Sequence, residues 1–93
     1  MKQKKLNIIR NNIDKLDLKL LNLIKKRTNL VNKVIKLKDH KKQIVDRKRI
    51  KKVLAKIKKK SISKKIDPKI TKKIWTSMIS SYIEYERKNF KKK

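Results

Sequence analysis

The chain has 93 residues, of which 37% are hydrophobic and 43% are charged, and its formal net charge is +26. Cysteine is absent and His40 is the single histidine, so disulfides and thiolate sites are excluded and a zinc site has too few ligands. With no glycine and one proline, the composition predicts long helices and few tight turns in a single domain, residues 1–93.

The first predicted helix runs from about Lys5 to Asp39. Its apolar residues recur at steps of three and four, which is helical periodicity: Ile9, Ile13, Leu16, Leu20, Leu23, Ile24, Leu30, Val31, Val34 and Leu37. At 1.5 Å per residue this helix is roughly 50 Å long. Such a helix overhangs any core that a chain this short could build, so we expect a second copy to pack against it.

A second, shorter helix is predicted from Arg47 to about Lys59, after a linker at residues 40–45. Asp46 is its predicted N-cap, and its buried face carries Ile50, Val53, Leu54 and Ile57. Residues 58–65 are rich in lysine and show no strong period, so we predict a loop there.

The third helix is predicted to start at Asp67 and Pro68, a capping carboxylate followed by proline at the first helical position. Its apolar residues are Ile70, Ile74, Trp75, Met78, Ile79, Tyr82, Ile83 and, at its end, Phe90. The tail Lys91–Lys93 is expected to fray. The predicted fold class is therefore all-α, with a long, a short and a medium helix.

Two basic residues interrupt the apolar stripe of the first helix. Arg27 and Lys38 are 11 residues apart, about three turns, so both are predicted to project beside Val31 and Val34. The pair on one face favours an anion site. The alternative is that each long side chain extends to water from an otherwise structural position.

The third helix shows a similar interruption. Tyr82 and Glu86 are four residues apart and share a face with Met78 and Ile79. A glutamate on an inner face is costly unless it is paired or protonated. The alternative is that the helix has turned outward by this point, which would leave Glu86 as a surface acid.

The first helix carries a specific pattern from Ile9 to Arg27, in which two arginines, Arg10 and Arg27, stand at fixed places in the apolar periodicity. In this pattern the chain resembles the all-helical chorismate mutases. The resemblance continues through Val34 and Lys38, through Ile44, Asp46 and Arg49, and more loosely along the third helix to Glu86. It covers about nine-tenths of the chain.

This resemblance implies an intertwined helical homodimer with two equivalent active sites. Arg27 and the partner's Arg10 would clamp the carboxylates of a small dicarboxylate substrate, and Lys38 would donate to its ether oxygen. Glu86 would face the same oxygen, in a position where the family usually has glutamine. The implied substrate-binding set is Arg10, Asp46, Arg49, Tyr82, Val34, Ile50 and Ile79, with Arg27, Lys38 and Glu86 as the catalytic residues.

The implied reaction suits these residue types. Chorismate rearranges to prephenate in one unimolecular pericyclic step, so the protein needs no nucleophile, metal or cofactor. It must hold the ether folded over its ring and stabilise negative charge that grows on the ether oxygen. Guanidinium groups fit carboxylates bidentately, and lysine supplies a compact positive donor.

Three features depart from the mutase pattern and resemble isochorismate pyruvate lyase, a relative with the same fold that forms salicylate. Ile50 stands where mutases usually have a glutamate that binds the ring hydroxyl. The interval from Lys38 to Arg49 is one residue short, and Tyr82 replaces a small polar residue. Against the lyase, Asp46 retains a mutase feature and Glu86 replaces the glutamine expected in both. We favour the mutase.

Two other functions remain open. A basic helical protein that binds nucleic acid is supported by the charge, especially residues 56–65, but the chain is only 4% aromatic and its lysines are spread throughout. We therefore interpret the charge as compositional bias and do not expect a nucleic-acid partner. A degenerate mutase domain that regulates another enzyme is the second possibility. No apolar run approaches the ~20 residues of a membrane span, so we predict no membrane association, no signal peptide and a cytoplasmic location.

Overall fold

The computed structural model of the protein describes residues 1–91, which contain three α-helices and no strand. The helices are α1, Lys2–Leu37, α2, Arg47–Ser63, and α3, Pro68–Asn89, and a short 3-10 helix occupies Lys41–Gln43. The predicted all-α class and the long, short, medium order are confirmed. No helix in the described part of the chain is both long and apolar enough to cross a membrane.

The chain divides into two compact units, Met1–Asn32 and Lys33–Lys93. The first unit consists of most of α1. Its leucines and isoleucines between Leu6 and Leu30 are exposed, from 38% at Leu6 to 62% at Leu18. Helical periodicity therefore creates an apolar stripe here that the chain itself leaves largely open to solvent.

The second unit holds the buried core. Its buried apolar side chains are Ile35, at 7% exposure, and Ile44, at 3%. Neither belongs to the apolar helix faces predicted from the sequence. Ile44 lies in the predicted linker, which the structure shows to contain the 3-10 helix. The segment is therefore a packed connection rather than a surface loop.

α1 ends at Leu37, two residues before the predicted end at Asp39. Hydrogen bonds from the Gln43 side chain explain the early end, because its Oε1 accepts from the backbone N–H groups of Asp39 and His40 at 2.8 Å each. This cap redirects the chain into the 3-10 helix. At the other end, α1 begins at Lys2 rather than at about Lys5.

α2 begins as predicted, since Asp46 Oδ1 accepts from the Arg49 backbone N–H at 3.0 Å. The loop predicted at residues 58–65 is wrong, because α2 continues to Ser63. Ser61 takes an apolar position on the buried face, where its hydroxyl donates to the Ile57 carbonyl and lies 2.7 Å from the hydroxyl of Thr71. Apolar periodicity could not detect a buried serine whose polar group is satisfied in this way.

α2 ends in a left-handed turn at Lys65, whose φ is 60°. The backbone N–H of Ile66 donates to the Ser61 carbonyl at 2.8 Å and closes the turn. The predicted start of α3 is confirmed, with Asp67 Oδ1 accepting from the Lys69 N–H at 2.9 Å and Pro68 in the first turn. Phe90 lies just beyond α3 in extended conformation, and the expectation for Lys92 and Lys93 lies outside the described residues.

Candidate active site

Lys38 and Glu86 form a partly buried ion pair in the second unit. Lys38 follows the last residue of α1, and Glu86 lies in the final turn of α3, 48 residues later. Lys38 Nζ donates to Glu86 Oε1 at 3.2 Å, and the two side chains are only 19% and 11% exposed. Folding thus brings together two of the three residues that the resemblance assigned to catalysis.

The two acids near the end of α3 occupy different environments. Glu86 is buried, with 8% of the whole residue exposed, whereas Glu84 is exposed. A buried carboxylate without a partner is strongly destabilising, so the position of Glu86 depends on the ammonium of Lys38. The surface alternative for Glu86 is therefore wrong.

The connection between α1 and α2 positions the lysine. Lys38 Nζ reaches the Ile44 backbone carbonyl at 3.5 Å, a long and weak hydrogen bond. The side chain of Ile44 is buried and so fixes the position of its carbonyl group. The hydrogen bond from the His40 N–H to the Gln43 side chain fixes the backbone between Lys38 and Ile44. The ammonium group thus has two acceptors fixed by packing, which preorganises it as a donor.

An open depression of about 730 Å³ lies beside the ion pair. Among the described residues that line it, Lys38, Arg47 and Arg87 are cations and Asp46 is the one carboxylate. The Asp46 Oδ1 already accepts the capping hydrogen bond of α2. The lining therefore carries net positive charge and suits a small anion.

The structure adds residues to the predicted site. Gln43, Val45, Arg47 and Arg87 line the depression and were not predicted. Arg47 and Arg87 directly follow Asp46 and Glu86 in the sequence. This adjacency was the available signal, but it was concealed by the many other basic residues of the chain.

Several predicted substrate-binding residues do not line this depression, as far as the described residues show. Tyr82, Ile79 and Ile50 are half-buried, whereas Arg49 and Val34 are exposed. Tyr82 packs edge-to-face on Tyr85, with ring centroids 6.1 Å apart and planes at 79°. That contact orients the tyrosine one helical turn before Glu86.

The remaining predicted residues, Arg10 and Arg27, belong to the unit Met1–Asn32. Arg10 is exposed, while Arg27 is half-buried on α1. Partial burial of a guanidinium group is costly without compensating contacts, so Arg27 is not an ordinary surface residue.

Comparison with known families bears directly on these residues. The model of the family described as chorismate mutase type II matches residues 9–87. The matched range includes every predicted site residue, from Arg10 to Glu86. Neither a curated protein nor a solved structure matches the chain. Because the family model covers most of the sequence, the chain belongs to the chorismate mutase type II family.

Proposed function

We propose that the protein converts chorismate to prephenate. The observation that carries this proposal is the partly buried pair of Lys38 and Glu86 beside a cationic depression. In the reaction the ether C–O bond breaks while a C–C bond forms within the same molecule. No atom, proton or electron is gained or lost, so the protein acts by binding and electrostatics alone.

Lys38 is the proposed donor to the ether oxygen. In the free protein its ammonium donates to Glu86 and, weakly, to the Ile44 carbonyl. Substrate binding would redirect one of its three N–H groups to the oxygen on which negative charge develops. Fixed acceptors keep the ammonium in place during this exchange, so little reorganisation is needed when the bond breaks.

Carboxylate binding is assigned to arginines. By the family resemblance, Arg27 and the partner's Arg10 grip the two carboxylates of chorismate. The guanidinium groups of Arg47 and Arg87 add positive charge at the depression and attract the dianion before it docks. This attraction weakens as salt concentration rises.

Glu86 has a conditional role in this mechanism. It can donate a hydrogen bond to the ether oxygen only when it carries a proton. In the free protein its carboxylate instead accepts from Lys38 Nζ at 3.2 Å and so holds the ammonium donor in place.

A homodimer is part of the proposal. The exposed apolar stripe of the N-terminal unit, for example Ile13 at 50%, Leu20 at 54% and Leu23 at 59%, supports burial against a second copy. The partner would also supply Arg10 to the site. Sedimentation at micromolar concentration should give the mass of two chains, and a monomer throughout would contradict this part.

Isochorismate pyruvate lyase is the second candidate. Ile50 favours it, because this half-buried side chain has no polar atom with which to bind the ring hydroxyl of chorismate. In the lyase reaction the C–O bond breaks and a hydrogen moves from the ring to the departing pyruvate, which leaves salicylate. The same lysine would stabilise the same ether oxygen.

The test is to incubate the purified protein with chorismate and with isochorismate separately and to identify the products. Prephenate from chorismate as the main activity supports the mutase. Salicylate and pyruvate from isochorismate, with little prephenate, would replace it with the lyase. A folded protein that turns over neither compound would overturn both.

A further inference from the structure

A second cavity lies between α2 and α3, apart from the candidate active site. Its volume is about 470 Å³, which lies in the ~300–1,000 Å³ range of small-molecule sites. Its apolar lining comes from Leu54, Ala55 and Ile57 of α2 and from Pro68 at the start of α3. None of its lining residues belongs to the depression beside Lys38.

Four lysines surround this apolar lining, and the described residues contribute no carboxylate to it. Lys51 and Lys58 are seven residues apart on α2, two turns along one face, while Lys69 and Lys72 are three apart on α3. Lys69 and Lys72, three residues apart, repel each other, and all four lysines place positive charge around one apolar lining. A bound anion would relieve that repulsion, and the apolar lining would bury the body of the same ligand.

We propose that this cavity binds an amphiphilic anion, namely an acyl chain that ends in an anionic head group. The chain would lie against Leu54, Ala55 and Ile57, and the head group would accept hydrogen bonds from the lysine ammonium groups. Each methylene group that leaves water adds to the affinity, so an acyl chain binds more tightly here than a small polar anion. The proposal is independent of the proposed mutase activity.

A second pair of lysines on α2 provides a control for the general effect of positive charge on anion binding. Lys52 and Lys59 are also seven residues apart on α2, but they do not line the cavity. Lys51→Gln/Lys58→Gln and Lys52→Gln/Lys59→Gln therefore remove equal charge from the same helix. Only the first pair changes the surroundings of the cavity.

Titration calorimetry with dodecanoate tests the proposal on the full chain. We expect wild-type binding, and about tenfold weaker binding, 1.4 kcal/mol, in the Lys51→Gln/Lys58→Gln variant. The Lys52→Gln/Lys59→Gln variant should stay within about twofold of wild type, since its lysines contact no part of the ligand. Acetate, which lacks the chain, and dodecyl maltoside, which lacks the charge, should bind far more weakly than dodecanoate.

A filling variant tests the apolar half of the site. Ala55 is exposed, so Ala55→Trp should leave the helices intact while occupying the cavity and abolishing dodecanoate binding. Circular dichroism checks the fold. Unchanged dodecanoate binding in folded Ala55→Trp would overturn the proposal, as would equal weakening in the two lysine pairs.

The head group can belong to a free fatty acid or to an anionic phospholipid. Vesicles of phosphatidylglycerol, compared with vesicles of phosphatidylcholine, distinguish the two sources. If vesicle binding is reduced by Lys51→Gln/Lys58→Gln and Ala55→Trp but not by the control pair, the source is a membrane lipid. If only dodecanoate binding depends on these residues, the source is a free fatty acid. Absence of dodecanoate binding and of cavity-dependent vesicle binding would refute the site.

Discussion

The ion pair between Lys38 and Glu86 predicts a large, non-additive effect on stability. Lys38→Met leaves the Glu86 carboxylate buried without its ammonium partner, and Glu86→Leu leaves the ammonium without its carboxylate. Because the side chains are 19% and 11% exposed and Lys38 lines an open depression, water compensates part of the loss. Each single variant should lose about 1–3 kcal/mol of unfolding free energy, between the values typical of exposed pairs and of fully buried pairs.

The double variant, Lys38→Met with Glu86→Leu, should lose much less than the sum of the two single losses. Replacing both charges by apolar groups leaves neither charge without its partner. We expect a coupling energy of about 1 kcal/mol or more in the double-mutant cycle. Such a value would identify the pair as a coupled unit rather than two separate surface charges.

The assay is urea unfolding followed by far-ultraviolet circular dichroism. Protein concentration must be the same for all variants, since association of two chains would make stability concentration-dependent. Lys33→Met, at an exposed lysine of α1, is the control and should change stability by less than about 0.5 kcal/mol. Single effects that add within about 0.5 kcal/mol would refute the coupling.

Two further predictions concern Ile50 and Lys65. Ile50→Glu should raise the ratio of mutase to lyase turnover, because it supplies an acceptor for the ring hydroxyl. Lys65→Gly should raise the unfolding free energy by about 0.5–1 kcal/mol, since glycine adopts a φ of 60° without the steric cost that lysine incurs.

Each of these has a matched control nearby. Lys48→Gln lowers the net charge by one, as Ile50→Glu does. If both variants give the same ratio of mutase to lyase turnover, Ile50 does not determine which reaction is favoured. Lys64→Gly, at a residue with φ of −91°, should destabilise, and a loss of stability in Lys65→Gly would contradict the strain argument.

Local signals predicted the helix starts well. Asp46 and Asp67 each stand directly before a run of residues with helical periodicity, which predicts an N-cap. Their carboxylates accept from backbone N–H groups of the first turn, which have no partner within the helix. The end of α1 was less predictable, because it depends on a side chain six residues further on. Gln43 reaches back to the backbone at Asp39 and His40, and composition gives no sign of that contact.

Buried polar residues were the harder part. Ser61 and Thr71 share a hydrogen bond across the α2 and α3 interface, so each lies in the core without being apolar. Spacing left both an inner-face and a surface position open for Glu86, and its burial and its contact with Lys38 distinguish it from Glu84. Contacts between residues far apart in the sequence depend on how the helices pack. The periodicity of one helix carries no information about that packing.

The uniform excess of lysine also limited what could be predicted. Arg47 and Arg87 line the depression beside Lys38, and their adjacency to Asp46 and Glu86 is too weak a signal to separate them from the many other basic residues. The depression and the cavity between α2 and α3 are each lined by only a few of the chain's many cations. Which cations line each site depends on which helix faces meet. It therefore follows from the fold and not from the composition.

Chorismate turnover by wild-type protein and by Lys38→Ala, with Lys33→Ala as control, tests the central claim most directly. We predict that wild type forms prephenate and that Lys38→Ala lowers kcat/KM by about 100- to 1,000-fold, the loss typical for one preorganised donor. Lys33→Ala should retain wild-type activity, and all three proteins should keep their helix content. Near-wild-type kcat/KM in Lys38→Ala would contradict the assignment of the site.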